Sequence, residues 1–321
     1  MQKGKIAVIV GPTACGKTAL SIEAAKRLRG EVVSADSVQV YEFLDIGSAK
    51  PTPEEMQGIP HHLIGEIPLD APSFTVAEYQ RRASAAIDGI LERGKLPLIV
   101  GGTGLYVNAL TLPMDFTEAA SDEAFRKQWQ AREEQEPGCA HRALAAIDPQ
   151  SALRLHPNDK KRVIRALEVH HLTGKTMTEQ AQDLEKAEPL YDAVMIGLTM
   201  PRELLYARVE QRVDQMMKDG LLDEVRGVLE RGYDPTAPSL QGLGYKELIA
   251  FLQGEGTLEE AVALIKQKTR NFAKRQWTWF RRDGRITWFD TTQYDREGLT
   301  EAVCTQIERG LLKEEHEERD D

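Results

Sequence analysis

Residues 11–18 read GPTACGKT and fit the P-loop pattern G-x-x-x-x-G-K-[ST]. The apolar run Ile6 to Val10 precedes them and predicts a buried strand, while Ala19 to Leu28 carries apolar residues at helical spacing. The glycines allow the backbone to wrap around phosphate oxygens, Lys17 adds positive charge, and the Thr18 hydroxyl can bind Mg²⁺. These flanks favour a phosphate-binding loop over a glycine-rich turn with an incidental lysine.

Composition gives the broad class of protein. The chain has 321 residues, of which 41% are hydrophobic and 29% charged, and its formal net charge is −10. We find no secretory signal, no apolar run that approaches a membrane span, and only three isolated cysteines, at positions 15, 139 and 304. We therefore expect a cytoplasmic monomer with no membrane partner. The net charge argues against general affinity for nucleic acid, but local basic clusters stand against the acidic tail, Lys313 to Asp321.

Predicted strands and helices alternate along most of the chain. Strands are predicted at 31–35, 61–67, 96–100, 191–198 and 286–289. Helices are predicted at 74–91, 201–217, 221–230, 245–252 and 258–280, and we expect Gly30 to end the helix after the P-loop. This alternation predicts an α/β fold with a P-loop NTPase-like, doubly wound parallel sheet flanked by helices.

The middle of the chain has a different pattern. From Thr117 to Glu188 we predict only helices, at 122–135, 139–147, 151–155, 159–172 and 176–186. We therefore expect an all-helical insertion domain at 117–188 within a core made of residues 1–116 and 189–321.

Polar residues follow three of the predicted strands. The P-loop follows the first, Asp36-Ser37 follows the second, and Gly102-Thr103-Gly104 follows the strand at 96–100. In a parallel sheet, ligands bind beyond the carboxyl ends of the strands. We therefore expect these three corners to meet at one edge of the sheet.

Nine short stretches, in order along the chain, resemble the bacterial tRNA dimethylallyltransferases, also called tRNA isopentenyltransferases. The matching stretches are Gly11 to Thr18 (GPTACGKT), Ser34 to Ser37 (SADS), Asp45 to Pro51 (DIGSAKP), Gly101 to Tyr106 (GGTGLY), His156 to Asp159 (HPND), Arg162 to Glu168 (RVIRALE), Gln211 to Met216 (QRVDQM), Gly244 to Lys246 (GYK) and Ala273 to Gln276 (AKRQ). The resemblance implies transfer of a dimethylallyl group from dimethylallyl diphosphate to the exocyclic N6 amine of the adenosine just 3′ of the tRNA anticodon. Diphosphate is released.

The resemblance also assigns catalytic roles. The adenine amine is a weak nucleophile, so a carboxylate that takes its proton lowers the barrier, and Asp36 is the expected general base. The resemblance puts Thr103 near the reacting amine and Asp36. Lys17, Arg212 and Mg²⁺ held by Thr18 would stabilise the leaving diphosphate. The diphosphate-binding residues are then Gly11, Pro12, Thr13, Ala14, Cys15, Gly16, Lys17 and Thr18.

Contact with the anticodon stem-loop of tRNA is expected at residues of both domains. The resemblance and the basic clusters together give the tRNA-binding set Asp36, Ser37, Val38, Gln39, Thr103, Arg126, Lys161, Arg162, Arg165, Gly244, Tyr245, Lys246, Lys274 and Arg275. Arg270 and Arg281 recur at helical spacing with Lys274. We expect Trp277 and Trp279 to lie in the core rather than to stack on bases.

Two other functions are compatible with parts of the sequence. A P-loop kinase that uses ATP would also explain the loop and the strands, although LPLIVGG lacks the acidic residue of a Walker-B strand. An RNA-binding module with a vestigial P-loop would explain the basic clusters, but Lys17 and Thr18 are intact. Neither alternative explains the ordered set of motifs.

Overall fold

The computed structural model describes residues 4–71, 74–114, 122–186 and 188–312. The chain divides into two compact units, which we call the α/β unit (Met1–Thr111 with Leu190–Asp321) and the helical unit (Leu112–Pro189). The boundary predicted at Thr117 lies outside the described residues, as does the acidic tail. The predicted end of the insertion, Glu188, is adjacent to the observed one.

A single sheet organises the α/β unit. Its strands are β1 (Lys5–Val10), β2 (Gly30–Ala35), β3 (His61–His62), β4 (Leu96–Gly101), β5 (Asp192–Thr199) and β6 (Ile286–Asp290). Their order in space is β3-β2-β4-β1-β5-β6, and every neighbouring pair is parallel. The predicted α/β fold class and parallel sheet are therefore confirmed.

Both faces of the sheet are covered. Along β1, Ile6, Val8 and Val10 belong to one buried apolar cluster. Ala7 and Ile9 belong to a second cluster. Alternate side chains of a strand point to opposite faces, so continuous apolar runs such as this one are typical of strands that are buried on both sides.

The α-helices fall into three groups along the chain. The first four are α1 (Lys17–Leu28), α2 (Pro53–Met56), α3 (Val76–Glu92) and α4 (Gly104–Thr111). The helical unit contributes α5 (Glu123–Gln135), α6 (Cys139–Ile147), α7 (Pro149–Arg154), α8 (Lys160–Thr173) and α9 (Met177–Lys186). The α/β unit resumes after β5 with α10 (Arg202–Lys218), α11 (Leu221–Glu230), α12 (Tyr245–Leu252), α13 (Leu258–Phe280) and α14 (Arg296–Leu312). Among the described residues, no helix combines the length and the apolar character that a membrane span requires.

The helical unit has its own small core. Leu144 of α6 packs with Val163, Ile164 and Leu167 of α8. Asp148 caps α7 and also accepts hydrogen bonds from the backbone and hydroxyl of Thr178. Burial opposes its ionisation, but the hydrogen bonds from Thr178 and Ser151 outweigh burial and lower the pKa of Asp148 to about 2.

Three local predictions were wrong or incomplete. Helix α1 ends with Arg29 in the left-handed region (φ 54°), and Gly30 is instead the first residue of β2. The strand predicted at 61–67 is only two residues long, although Ile67 forms an isolated bridge with Tyr41. Helices α2, α4 and α14 were not predicted. In α4 five of the eight residues are buried, so the helix's own apolar residues lie on several of its sides and give no periodic signal in the sequence.

Candidate active site

The three polar corners meet at one edge of the sheet, as expected. Strands β2, β4 and β1 are adjacent, and Gly101 pairs in register with Val10 on one side and Ala35 on the other. The P-loop, Asp36 and the loop that begins at Gly102 therefore leave the sheet side by side.

The P-loop forms a closed turn between β1 and α1. Gly16 opens the helix with φ 95°, a conformation that favours glycine, and Ala14 also has a positive φ, 65°. The Lys17 ammonium donates to the carbonyls of Gly11 and Pro12, at 3.0 and 2.8 Å. The amino end of α1, Lys17 and the Thr18 side chain thus face one cavity of the α/β unit.

Arg212 extends from α10 towards the P-loop. Its Nη1 donates to the Thr13 hydroxyl at 3.3 Å, and no carboxylate in the described part of the chain forms a salt bridge with it. Burial lowers the pKa of Arg212, against the opposing effect of the charges at Cys15, Glu55 and Asp36. A guanidinium nevertheless stays charged in proteins, so the structure holds an unpaired cation beside the P-loop.

Asp36 forms the second corner. Its Oδ1 accepts hydrogen bonds from the backbone N–H groups of Val38 and Gln39, at 2.9 and 3.3 Å, which fixes the turn after β2. Within the described residues its Oδ2 has no hydrogen-bond partner. One oxygen therefore orients the side chain while the other remains able to accept a proton.

Thr103 lies beside this corner rather than on Asp36 itself. Its backbone N–H donates to Ala35, and its hydroxyl accepts from the Ser37 N–H at 3.1 Å and contacts the Ser37 hydroxyl at 3.4 Å. Gly101 and Gly102 line the cavity, whereas Thr103 does not. The Thr103 hydroxyl is thus near Asp36, as the resemblance implies, but among the described residues its side-chain hydrogen bonds are to Ser37.

A single cavity of about 670 Å³ contains the P-loop and Asp36. Its polar surface includes Thr13, Lys17, Thr18, Asp36 and Arg212. Its apolar surface comes from the side chains of Val38, Val213, Met216, Leu221, Ile265 and Phe272. The cavity therefore suits a ligand that has a charged end and an apolar portion.

The residues predicted to contact tRNA in the α/β unit differ in exposure. Val38, Gln39 and Gly244 line the cavity. Lys246, Lys274 and Arg275 are exposed. The prediction that the Tyr245 side chain binds tRNA needs correction. This side chain is fully buried and its hydroxyl donates to Glu224, so it contacts protein instead of RNA.

In the helical unit, two of the arginines predicted to bind tRNA form ion pairs within the protein. Arg126 and Arg165 both donate to Oε2 of Glu168, at 2.9 and 2.6 Å, and Glu168 is fully buried. Lys161 and Arg162 are exposed, and Arg162 forms a surface ion pair with Asp159, at 3.4 Å. Lys161 and Arg162 are therefore more available to a ligand than Arg126 and Arg165.

Helix α13 carries features that the sequence interpretation missed or misplaced. Trp277 and Trp279 were expected in the core, but they are 37% and 47% exposed. Because they are two residues apart on a helix, the two side chains leave α13 in different directions. Arg270 pairs with Glu210, and Arg281 lies over the Trp277 ring.

Gln276 is buried between two loops of the site; its position in the AKRQ match was the one signal that could have pointed to it.

The fold and the site together define the class of protein. A P-loop at the carboxyl edge of a parallel sheet, with an unpaired arginine beside it, defines a phosphate-binding α/β protein of the P-loop type. The family model described as IPP transferase matches residues 39–283. The chain belongs to this IPP transferase family.

Relatives and solved structures resemble nearly the whole chain. A tRNA dimethylallyltransferase from Symbiobacterium thermophilum is 52% identical over 95% of this chain and 96% of its own length. The crystal structure of a full-length tRNA isopentenylpyrophosphate transferase from Bacillus halodurans is 44% identical, covers 98% of this chain and 100% of its own, and has a TM-score of 0.74. A eukaryotic dimethylallyltransferase acting on tRNA is 31% identical, with a TM-score of 0.79 over 94% of this chain and 78% of its own.

Proposed function

We propose that this protein is a tRNA dimethylallyltransferase. It transfers a dimethylallyl group from dimethylallyl diphosphate to the N6 amine of the adenosine just 3′ of the anticodon. The observation that carries the proposal is the cavity in which a P-loop and the unpaired Arg212 lie together with the free oxygen of Asp36 and an apolar wall. Membership of the IPP transferase family supports it.

The P-loop end of the cavity binds the diphosphate. Backbone N–H groups of residues 14–18, at the amino end of α1, favour anions, and Lys17 and Arg212 add two positive charges. Negative charge grows on the leaving oxygen as the allylic C–O bond breaks, so cations fixed there stabilise the transition state more than the ground state. Arg212 has no competing carboxylate partner in the described residues and is available for this task.

Asp36 accepts the proton. As the adenine N6 attacks the allylic carbon, a C–N bond forms, the C–O bond breaks, and the diphosphate leaves with the bonding electrons. The N6 proton passes to Oδ2 of Asp36, while Oδ1 remains bound to the Val38 and Gln39 amides. Thr103 acts indirectly, by holding Ser37 next to Asp36.

Mg²⁺ is the proposed cofactor, and the residues present fit it. The described residues contain no cluster of three histidine, cysteine or carboxylate side chains that could hold a metal. Mg²⁺ does not need such a cluster, because it is commonly bound by one or two protein oxygens together with substrate phosphates and water. Thr18 lines the cavity, and its hydroxyl would hold the ion, which would neutralise charge on the diphosphate.

tRNA is the proposed second substrate. The target adenosine must leave its stack, which costs a few kcal/mol and requires a grip on the neighbouring backbone. Exposed basic residues that suit this task are present in each unit: Lys161 and Arg162 in the helical unit, and Lys246, Lys274 and Arg275 in the α/β unit.

The test compares two labelled substrates. The protein is incubated with Mg²⁺, an unmodified tRNA transcript and radiolabelled dimethylallyl diphosphate, and separately with labelled ATP. We expect label from the diphosphate to enter the tRNA. A transcript with guanosine in place of the target adenosine is the matched control, because guanosine has no N6 amine and should take up no label.

The kinase alternative gives the opposite pattern. Phosphate transfer from ATP to a small-molecule acceptor, with no prenyl incorporation into tRNA, would contradict the proposed function. Equal incorporation into the guanosine control would contradict the assignment of the acceptor nucleotide.

A further inference from the structure

Gln276 connects two loops of the site that are far apart in sequence. Its side-chain Oε1 accepts a hydrogen bond from the backbone N–H of Thr13 in the P-loop, at 2.8 Å. Its Nε2 donates to the carbonyl of Gly102, at 3.0 Å. The residue is only 5% exposed, so the amide is held in a nearly dry environment between these two contacts.

The contact is specific for this pair of residues. A Cβ atom on Gly102 would lie 2.1 Å from Nε2 of Gln276, so only glycine lets the amide approach the loop this closely. Glutamine offers both a donor and an acceptor at the end of the side chain, whereas an ionised carboxylate of the same length is an acceptor only. Buried neighbours on α13, Ala273 and Phe280, fix the helix face from which the amide extends.

We infer that Gln276 is a positioning residue that sets the spacing between the two reacting partners. One of its contacts is in the loop that holds the diphosphate. The other is in the loop that carries Thr103, which in turn holds Ser37 next to Asp36. Gln276 thereby keeps the allylic carbon, attached to the diphosphate, in line with the amine whose proton Asp36 accepts. The inference rests on the proposed function.

The expected consequence follows from the sensitivity of a bimolecular reaction to alignment. A displacement of about 1 Å between reacting groups can cost roughly 10²-fold in rate without changing the groups that react. Losing the Gln276 link releases both loops at once. Each substrate can still bind to its own loop, so the loss should appear in the transfer step more than in either binding equilibrium.

The experiment is a double-mutant cycle on the full-length protein. Gln276→Met removes both hydrogen bonds at similar side-chain length, and Gly102→Ala displaces the amide while leaving Gln276 in place. The matched controls are Gln267→Met, an exposed glutamine on the same helix, and Gly227→Ala, a glycine with open space where the Cβ would lie. For each variant the single-turnover rate of prenyl transfer to tRNA, the affinity for inorganic diphosphate and the thermal unfolding temperature are measured.

We expect each test variant to lose roughly 10²-fold in the single-turnover rate. Diphosphate affinity should fall by less than about 3-fold, because the other P-loop contacts remain. Since both substitutions break the same link, the double variant should lose about as much as one of them instead of the product of the two losses. The two controls should keep the rate and the unfolding temperature of the unmodified protein.

Three results would overturn the inference. Losses that multiply in the double variant would mean that the two residues act separately. A fall in diphosphate affinity as large as the fall in rate would reduce Gln276 to a part of the diphosphate site, and an unchanged rate would reduce it to a packing residue. Absence of prenyl transfer by the unmodified protein would instead contradict the proposed function, which separates the two failures.

Discussion

Charged side chains are used in different ways in the two units. In the helical unit, Glu168 is fully buried and accepts from the Asp122 backbone N–H at 2.8 Å as well as from Arg126 and Arg165. In the cavity of the α/β unit, the side-chain hydrogen bonds among the described residues give Arg212 one partner, the Thr13 hydroxyl, and engage one oxygen of Asp36. The first set of charges is paired within the fold, whereas the second has no partner of opposite charge within hydrogen-bond distance among the described residues.

The difference separates charges that stabilise the fold from charges that are available to a ligand. Removing one member of a satisfied buried cluster leaves its partners uncompensated and destabilises the protein. Removing an unpaired charge from a cavity costs the fold little and can even stabilise it, because a desolvated charge without a partner is unfavourable. We therefore expect substitutions in the cavity to lower activity, and substitutions around Glu168 to lower stability.

The largest expected effect is at Asp36. Asp36→Asn keeps an oxygen that can accept from the Val38 and Gln39 amides, so the turn survives and only the base is lost. Loss of general-base catalysis should lower the turnover number by about 10³-fold. The affinity for tRNA and the unfolding temperature should stay near those of the unmodified protein. Steady-state kinetics, tRNA binding and thermal unfolding check this, with the exposed Asp70→Asn as the control.

A parallel collapse of tRNA affinity in Asp36→Asn would contradict the role of Asp36 as a base. It would mean that the carboxylate mainly binds RNA or holds the loop.

Arg212 gives the next largest effect. Arg212→Met preserves much of the side-chain length but removes the unpaired charge next to the P-loop, and we expect turnover to fall by about 10²-fold. Stability should be unchanged or higher, since the charge has no carboxylate partner in the described residues. Arg208→Met, at an exposed position on the same helix, is the control. A clear loss of stability in Arg212→Met with no loss of turnover would remove the distinction between the two units.

The sequence predicted the fold better than it predicted individual side-chain contacts. Strands such as β1 and β4 are recognisable because burial on both faces requires uninterrupted apolar runs. The convergence of the P-loop, Asp36 and Gly102 follows from parallel topology alone. These features depend on the pattern of apolar residues and on the order of strands and helices, both of which can be seen in the sequence.

Contacts between distant residues could not be predicted in the same way. The sequence showed arginines at 126, 165 and 212 without showing that Glu168 pairs with two of them and leaves the third unpaired. Gln276 resembles any polar residue on an amphipathic helix until the loops on either side of it are known. Tyr245 was misassigned for the same reason, because burial of its hydroxyl against Glu224 depends on tertiary packing.

Glu168 tests whether the paired charges of the helical unit stabilise the fold. Glu168→Gln leaves Arg126 and Arg165 without a counter-charge, and we expect the free energy of unfolding to fall by about 2 kcal/mol. This loss of unfolding free energy is modest because the two arginine side chains are 40% and 36% exposed, so water compensates part of the lost interaction. Urea denaturation followed by circular dichroism measures it, with Glu134→Gln, an exposed carboxylate of the same unit, as the control.

The same carboxylate predicts a dependence of stability on pH. Burial opposes ionisation of Glu168, but the hydrogen bonds from Arg165 and Arg126 outweigh it and lower its pKa below the usual value of 4.5. Its contribution to stability is therefore complete above pH 4.5 and is lost as the pH falls through the lowered folded-state pKa. The difference in stability between the unmodified protein and Glu168→Gln should shrink on acidification across that range. A difference that stays constant would mean that the carboxylate does not stabilise the helical unit through its charge.

The smallest expected effect concerns the exposed cations of the helical unit. Arg162 is 75% exposed and Lys161 is also exposed, whereas Arg165 is committed to Glu168, so Lys161 and Arg162 are the better candidates for phosphate contacts. Each lost phosphate contact lowers the slope of log affinity against log salt concentration by about 0.7 to 0.9, so replacing both with Gln should lower it by about 1.5. Thermal stability should not change, because neither side chain neutralises a buried charge.

The control for this last variant removes two other exposed charges from the same unit, with Lys127→Gln and Arg142→Gln. If tRNA contacts the surface around Lys161, the control should keep the salt slope of the unmodified protein, since its cations lie on α5 and α6 instead of α8. An equal change of slope in both double variants would mean that only net charge matters. A loss of stability in Lys161→Gln with Arg162→Gln would show that exposed cations of this unit also support the fold, and the contrast with the cavity of the α/β unit would then be weaker.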